Sequence, residues 1–429
     1  MRADRRMLTI DGARLESELE RLATFSEAQP PVVTRVVFTE ADLRAREYIK
    51  SLAREARLAI REDAAGNTFA RWIGTYPSLP AVGTGSHIDA IPNAGRFDGT
   101  VGVLGGLEAI RALQASGFHP RRSIELVLFT AEEPTRFGIG CLGSRLLAGS
   151  LDASAGQRLR DQQGRTLDQV RTEAGFAGPL DSVRLAPGHY SAFIELHIEQ
   201  GPVLEREGVP IGIVTAIAAP ASLRVILEGE GGHAGAVLMP DRHDAFLAAA
   251  EIALAAEAAA KNTGAIDTVA TAGVCDIFPG AVNSIPSRVM MMLDIRDTGG
   301  ARRDAVVRAI EAESRAISVR RGVKMDLEII NADEPAICDP QVVATLVAAA
   351  EFRQLRSRKI VSRAYHDSLF MSRIAPVAML FIPCRNGYSH RPDEYASAEH
   401  IALGAATLAE ALHSLSCDVA EPIRPGHTA

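Results

Sequence analysis

Cysteine is scarce in this chain and irregularly placed. The five residues, Cys141, Cys275, Cys338, Cys384 and Cys417, are odd in number and form no CxxC pair. This argues against a disulfide framework and sets the expectation of free thiols in a reducing, cytoplasmic setting. Runs of Lys and Arg are also missing, and the net charge is −7. Both facts argue against a nucleic-acid partner. No uninterrupted apolar run approaches the length of a membrane span, so no membrane partner is expected. The Ala-rich stretch 245–260 carries Glu251 and Glu257 and reads as a buried helix of a water-soluble protein. The N-terminus, MRADRRMLTIDGARLE, is charged and has no apolar signal core. Internal repeats and low-complexity segments are absent, and the tail EPIRPGHTA reads as frayed. The glycines at 99–106 come with neither a P-loop nor a correctly spaced dinucleotide fingerprint, so a nucleotide-binding reading fails.

What is present describes a globular protein, with 47% hydrophobic and 23% charged residues. At 429 residues the chain is too long for one ordinary core. Residues 11–60 read mostly as helices around a Pro30-Pro31 break, with an amphipathic segment from Glu40 to Leu58. Apolar strand-like runs follow at 68–73, 79–88, 123–131 and 192–198, with helical patterns between several of them. Such alternation predicts an α/β sheet whose ligands gather at the carboxyl ends of its strands. The rhythm then changes. Leu223–Leu227, Thr268–Cys275, Arg288–Arg296 and Lys324–Ile330 read as strands, with helices at Asp244–Lys261 and Ala301–Arg320. The order β-α-β-β-α-β predicts a ferredoxin-like α+β domain. Another apolar strand is expected at Val377–Ile382. The expected organisation is a catalytic α/β domain in two parts, 1–213 and 333–429, with an insertion at 214–332.

The chemistry-bearing residues stand at the ends of those strands. His87 and Asp89 follow the apolar run Leu79–Val82, and residues two apart in extended chain face one side. One His87 nitrogen can then hold a metal while the Asp89 carboxylate orients the ring. Asp98 precedes a helical pattern at Val101, Leu104 and Leu107, where a carboxylate is favoured. Glu132-Glu133 closes the strand 123–131, and neighbours in extended chain point different ways, so one can ligate while the other faces substrate. His197 shares strand parity with Glu195 and Glu199, and Ser389-His390 lies in a Gly-turn loop beyond Val377–Ile382. Alone, each could be a surface or structural residue. Together they form an imidazole–carboxylate set suited to Zn, Mn, Co or Ni. An Asp between two His-bearing sites is the natural bridge of a two-metal centre.

Six blocks in order, GSHIDAIPNAGRFDGTVGVLGG, AEEPTRFG, ELHIEQGPVLE, GGHAG, NSIPSRVMMMLDIRD and YSHRPDE, resemble the amidase and carbamoylase branch of the dinuclear metallopeptidase superfamily. The resemblance spans about residue 10 to residue 415. It implies two divalent metal ions per subunit, Mn2+ with Zn2+ as the alternative. His87 and His197 would hold one metal, Glu133 and His390 the other, with Asp98 between them. It also implies Glu132 as general base, Asp89 as the partner of His87, and a cis Asp98–Gly99 peptide. The insertion would be the lid and dimerisation domain of a homodimer. From it His233, Asn283 and Arg296 would reach an active site, often the partner subunit's. Arg296 suits a substrate carboxylate, while His233 and Asn283 suit an oxyanion. Gln200 joins the substrate-binding set.

Within the branch, the stretches around Tyr365 and around GGHAG look like those of the ureidoglycolate amidohydrolases of purine breakdown. The Tyr365 phenol could bond a substrate hydroxyl, positioned by His366 and Asp367, although a core tyrosine with a satisfied hydroxyl reads equally well. The resemblance therefore implies hydrolysis of a linear ureido C–N bond, with (S)-ureidoglycolate as substrate. The neighbouring activities, on N-carbamoyl-L-amino acids or allantoate, differ only in pocket detail. An inactive adaptor relative would have lost a ligand or the base, and all six positions are present.

Overall fold

The computed structural model describes residues 7–417, so the expected frayed tail and the first six residues lie outside the described residues. The chain divides into two compact units. One comprises the chain up to Thr215, Cys338–Ser362 and the chain from His366 on. The other comprises Ala216–Ile337 together with Arg363–Tyr365.

The first unit is built on a mixed sheet. Its centre is four parallel strands in the order Val377–Ile382, Tyr190–Ile198, Ala81–His87, Ile124–Phe129. Thr68–Trp72 and Ala59–Glu62 extend one side antiparallel, and Ile211–Ile217 pairs antiparallel with Val377–Ile382 on the other. Every residue of Ala81–His87, Ile124–Phe129 and Val377–Ile382 is buried. Val377–Ile382 therefore reads as a continuous apolar run, and the other two bury Thr84, Ser86, His87 and Glu125 among apolar residues, as parallel strands covered on both faces do. Helix Thr100–Ala115 lies against them, buried along most of its length. Its glycines serve close packing: a Cβ on Gly102 would meet the Leu196 carbonyl oxygen at 2.3 Å. That accounts for the glycines without any nucleotide.

The second unit is a four-stranded antiparallel sheet in the order Val269–Phe278, Arg288–Asp297, Ala219–Glu228, Lys324–Ala332. Helices Ala245–Asn262 and Gly300–Arg321 cover it, enclosing a core of Leu223, Val225, Ile252, Met291, Leu293 and Ile310. Burial alternates strictly along Arg288–Asp297, the signature of a sheet with one covered face. The sequence order is β-α-β-β-α-β, so the molecule is an α/β fold with a ferredoxin-like α+β unit inserted.

Several features depart from the sequence reading, among them the strands Ala59–Glu62 and Ser357–Ser362, where none was expected. The strand Ile211–Ile217 was not anticipated, because only Ala218 separates it from Ala219–Glu228 and no turn residue marks the junction. The expected cis Asp98–Gly99 bond is absent. The cis bonds among the described residues are Pro30–Pro31 and Phe278–Pro279. The chain turns at this point through a left-handed Gly99, φ 65°, instead. No helix among the described residues is long and apolar enough to cross a membrane.

Candidate metal centre

The ends of the four parallel strands converge on Asp98. His87 is the last residue of its strand, and His197 the penultimate residue of the next. Glu132 and Glu133 follow Ile124–Phe129, and His390 follows Val377–Ile382 across a short loop. Asp98 sits just before helix Thr100–Ala115. One of its oxygens lies 3.1 Å from His197 Nε2 and 3.6 Å from His87 Nε2, and the other 3.2 Å from His390 Nε2. Glu133 Oε1 is 3.2 Å from the same His390 nitrogen. Two triads result, His87–Asp98–His197 and Asp98–Glu133–His390, and Asp98 belongs to both.

Local hydrogen bonds aim these groups. His197 Nδ1 is 2.9 Å from the Ile198 carbonyl and His87 Nδ1 3.1 Å from the Asp89 carbonyl. A ring that donates from Nδ1 presents Nε2 as a lone pair. The Asp89 carboxylate has a different task from the one the spacing suggested. It is 3.7 Å from His87 Nδ1, beyond hydrogen-bond reach, and accepts the Glu132 and Glu133 amides at 3.2 and 3.0 Å. The two glutamates diverge for a different reason as well. The strand ends at Phe129 and Ala131 takes a left-handed φ of 53°, so strand parity does not orient them. Glu133 turns to His390, while Glu132 Oε2 stands 3.7 Å from His87 Nε2. The buried Cys141 thiol is 3.4 Å from the other Glu132 oxygen.

Gln200 donates to Asp98 Oδ2 at 2.8 Å and to Ser389 Oγ at 3.1 Å, so its amide addresses the shared aspartate. His366 is buried, its Nε2 2.9 Å from Ser362 Oγ and its ring edge-on to His197. Asp367 is buried too and accepts the Ser144 hydroxyl. The remaining sequence candidates belong to the inserted unit. His233 pairs with Ser284 in a two-stranded ladder, and the Ala234 amide donates to the Asn283 carbonyl, so His233 and Asn283 are neighbours there. Arg296 is engaged by Asp294, with Nε to Oδ1 at 2.7 Å and Nη2 to Oδ2 at 3.2 Å. The Tyr365 hydroxyl donates to the Asp333 carboxylate.

Sequence reasoning passed over Glu394, Cys141 and the role of Glu195. Glu195 is fully buried, with Oε1 taking the Ser86 hydroxyl at 2.7 Å and Oε2 the Ser368 amide at 3.0 Å. Its parity with His197 was the available signal. Glu394 lies inside the YSHRPDE block but offers no spacing cue of its own.

Comparison with known proteins agrees with this geometry. The family model described as peptidase family M20/M25/M40 matches residues 83–414. A ureidoglycolate hydrolase of Arabidopsis thaliana is 52% identical over 418 residues, covering 96% of this chain and 88% of that protein. An N-carbamoyl-L-amino acid amidohydrolase of Geobacillus stearothermophilus is 38% identical, covering 93% of this chain and 97% of that protein. The crystal structure of AtUAH in complex with glyoxylate matches with a TM-score of 0.89 at 51% identity, covering 96% of this chain and 99% of that one.

The chain belongs to peptidase family M20/M25/M40.

Enzymes of the M20 family typically depend on a dinuclear metal centre, and the donor set here fits one. Each triad offers imidazole and carboxylate atoms within 4.8 Å of one another. The field is strongly acidic. Burial disfavours charge on Asp98, but hydrogen bonds from His197, His390 and His87 outweigh it and hold the carboxyl well below its usual range. Hydrogen bonds to Asp98 and Glu133 push the His390 imidazole up to about 11. Burial pushes Glu132 well above the usual carboxylate range, with the neighbouring charges of Glu133, Asp367 and Asp98 adding to it and His87 opposing. Burial likewise raises Asp89 to about 6. Carboxylates that hold imidazoles protonated this strongly form a site that a dication satisfies in place of those protons.

Proposed function

We propose that this M20/M25/M40 chain is a metal-dependent amidohydrolase that cleaves a linear ureido C–N bond. Its substrate in this reading is (S)-ureidoglycolate. The observation that carries the reading is the shared Asp98 between two imidazole–carboxylate triads, in a chain 52% identical to a ureidoglycolate hydrolase. A matched structure of AtUAH holds (S)-hydroxyglycine, the amino-hydroxy acid such a cleavage would release. N-carbamoyl-L-amino acid amidohydrolases are less similar, at 38% identity.

A pair of divalent ions, Mn2+ or alternatively Zn2+, would be held by His87, His197, Glu133, His390 and the bridging Asp98, where it would polarise the ureido carbonyl and acidify water. Glu132 is the base. Burial and the charges of Glu133, Asp367 and Asp98 raise its proton affinity, so once ionised beside the dications it would be a strong acceptor for the water proton. As water oxygen bonds to the carbonyl carbon, Glu132 takes the water proton. It then delivers that proton to the departing nitrogen as the C–N bond breaks. Carbamate and hydroxyglycine leave, and decay to carbon dioxide, ammonia and glyoxylate. His233 and Asn283 serve the developing oxyanion, and Arg296 exchanges Asp294 for the substrate carboxylate with the same bidentate geometry. Tyr365 and His366 complete the contacts to substrate, and Gln200 keeps Asp98 oriented. The inserted unit acts as lid and as dimerisation domain. Support for a homodimer comes from strand Val269–Phe278, an edge strand whose residues are almost all exposed. The five free cysteines support a reducing, cytoplasmic setting.

The test is ammonia release by chelator-stripped protein reloaded with Mn2+ or Zn2+. It would be run on (S)-ureidoglycolate, allantoate and N-carbamoyl-L-amino acids, with Glu132→Gln alongside. Wild type should prefer ureidoglycolate, and Glu132→Gln should lose at least about 100-fold in kcat while keeping its metal. Preference for a carbamoyl amino acid would overturn the substrate. Wild-type turnover by Glu132→Gln would overturn the base.

A further inference from the structure

The ligands of the centre are unequally held. His87 and His197 are buried in strands and anchored through Nδ1. His390 lies in a loop at φ 60°, and its side chain is 47% exposed. Ser389 in this loop takes a hydrogen bond from Gln200 at 3.1 Å and its hydroxyl lies 2.8 Å from Asp98 Oδ2, and a further fastening comes from Glu394, which is buried and which the mechanism does not use. Its Oε1 accepts the backbone amides of Phe97 and Asp98 at 2.8 and 3.1 Å. Its Oε2 accepts the hydroxyl of Ser389, the residue before His390, at 2.9 Å. One carboxylate thus ties the loop that carries the shared aspartate to the loop that carries His390. The space is made by Gly95, where a Cβ would lie 2.4 Å from Glu394 Cβ. Phe97 and Tyr395 meet edge to face beside it, ring centres 6.2 Å apart. Asp98 has further support, from Gln200 and from its place at the head of helix Thr100–Ala115. The His390 imidazole pairs with Asp98 and Glu133, so its position follows that of the loop that carries it.

We propose that Glu394 is a positioning residue that sets the metal affinity of the Asp98–Glu133–His390 half of the centre, which is the weaker, second-filled half. The His87–Asp98–His197 half shares Asp98 but depends on Glu394 less, because His87 and His197 are anchored in strands through Nδ1. The inference rests on the reading of both triads as metal sites. Groups that orient metal ligands typically contribute about 10–100-fold in affinity, and a ligand in an exposed loop depends on them most.

The experiment is calorimetric titration of the chelator-stripped full chain with Mn2+, together with direct metal analysis. Wild type, Glu394→Ala, Glu394→Gln and His390→Ala would be compared, with melting of each metal-free protein. Wild type should bind two equivalents with distinct Kd values. Glu394→Ala should weaken the second by about 10-fold or more and the first by much less, the same order of effects as in His390→Ala. Glu394→Gln keeps an oxygen for the Phe97 and Asp98 amides and should recover most of the affinity. Two equivalents bound by Glu394→Ala as tightly as by wild type overturn the proposal, and so does equal weakening of both. If Glu394→Ala does not fold, Ser389→Ala removes the hydroxyl that Glu394 holds, together with its contact to Asp98, and must weaken the second equivalent more than the first. Unchanged binding there overturns the proposal equally. Should His390→Ala itself bind two equivalents like wild type, the two-metal reading fails, and the role of Glu394 with it for a separate reason.

Discussion

Gly99 meets two demands at one position. Its φ of 65° lies where L side chains are strained, and a Cβ there would stand 2.5 Å from His87 Nε2. Backbone strain of this kind costs about 1–2 kcal/mol, and the displaced imidazole would add loss of a ligand. Gly99→Ala should therefore lower the melting temperature of the metal-free protein and also weaken Mn2+ binding, measured by calorimetry. Wild-type metal affinity in this variant would show that the His87 ring has room to move. At this scale the sequence announces residue types well. His87, Asp98, the Glu132-Glu133 pair, His197 and His390 stood out as candidates at strand ends or a helix start, and the family resemblance divided their roles. Their mutual distances were not legible, because each depends on a backbone turn, such as left-handed Ala131 or Gly99, that apolar patterning does not encode.

Strand Tyr190–Ile198 shows what an element adds. Alternation puts Glu195 and His197 on one face, and the structure makes Glu195 the anchor for that face through Ser86 and the Ser368 amide. Glu195→Leu would leave both donors buried without an acceptor, at about 1–3 kcal/mol each. Urea denaturation should report a stability loss of that order. The disturbance should spread to His197, because His366 packs on its ring and adjoins Asp367 and Ser368. A change below about 1 kcal/mol would show that water replaces the carboxylate there. The strands and helices around this element were readable from apolar runs and helical spacing. Ile211–Ile217 was not, since it shares one apolar stretch with the strand that follows and nothing in composition says which sheet each joins.

At the scale of the whole molecule, the exposed edge strand Val269–Phe278 is where a second copy would add its own strand. Charges there oppose such pairing. Val274→Lys combined with Ile277→Lys should convert a dimer to a monomer in sedimentation experiments, without loss of helix or sheet signal in circular dichroism. A wild-type chain that sediments as a monomer would sink the dimer reading outright. By itself the sequence determined the fold class, the main strands and helices, the insertion of a ferredoxin-like unit and a candidate set of imidazole and carboxylate groups. These follow from periodicity and from residue types at strand ends, which are local properties of the chain. Only the tertiary structure decided the distances at which Asp98 meets both triads and that Asp89 holds the Glu132 and Glu133 amides. It also decided that Glu394, 296 residues from Asp98 in the chain, ties two ligand loops together. Those relations depend on which strand ends the sheet order brings side by side, and hydrogen bonds across such distances leave no periodic trace in the sequence.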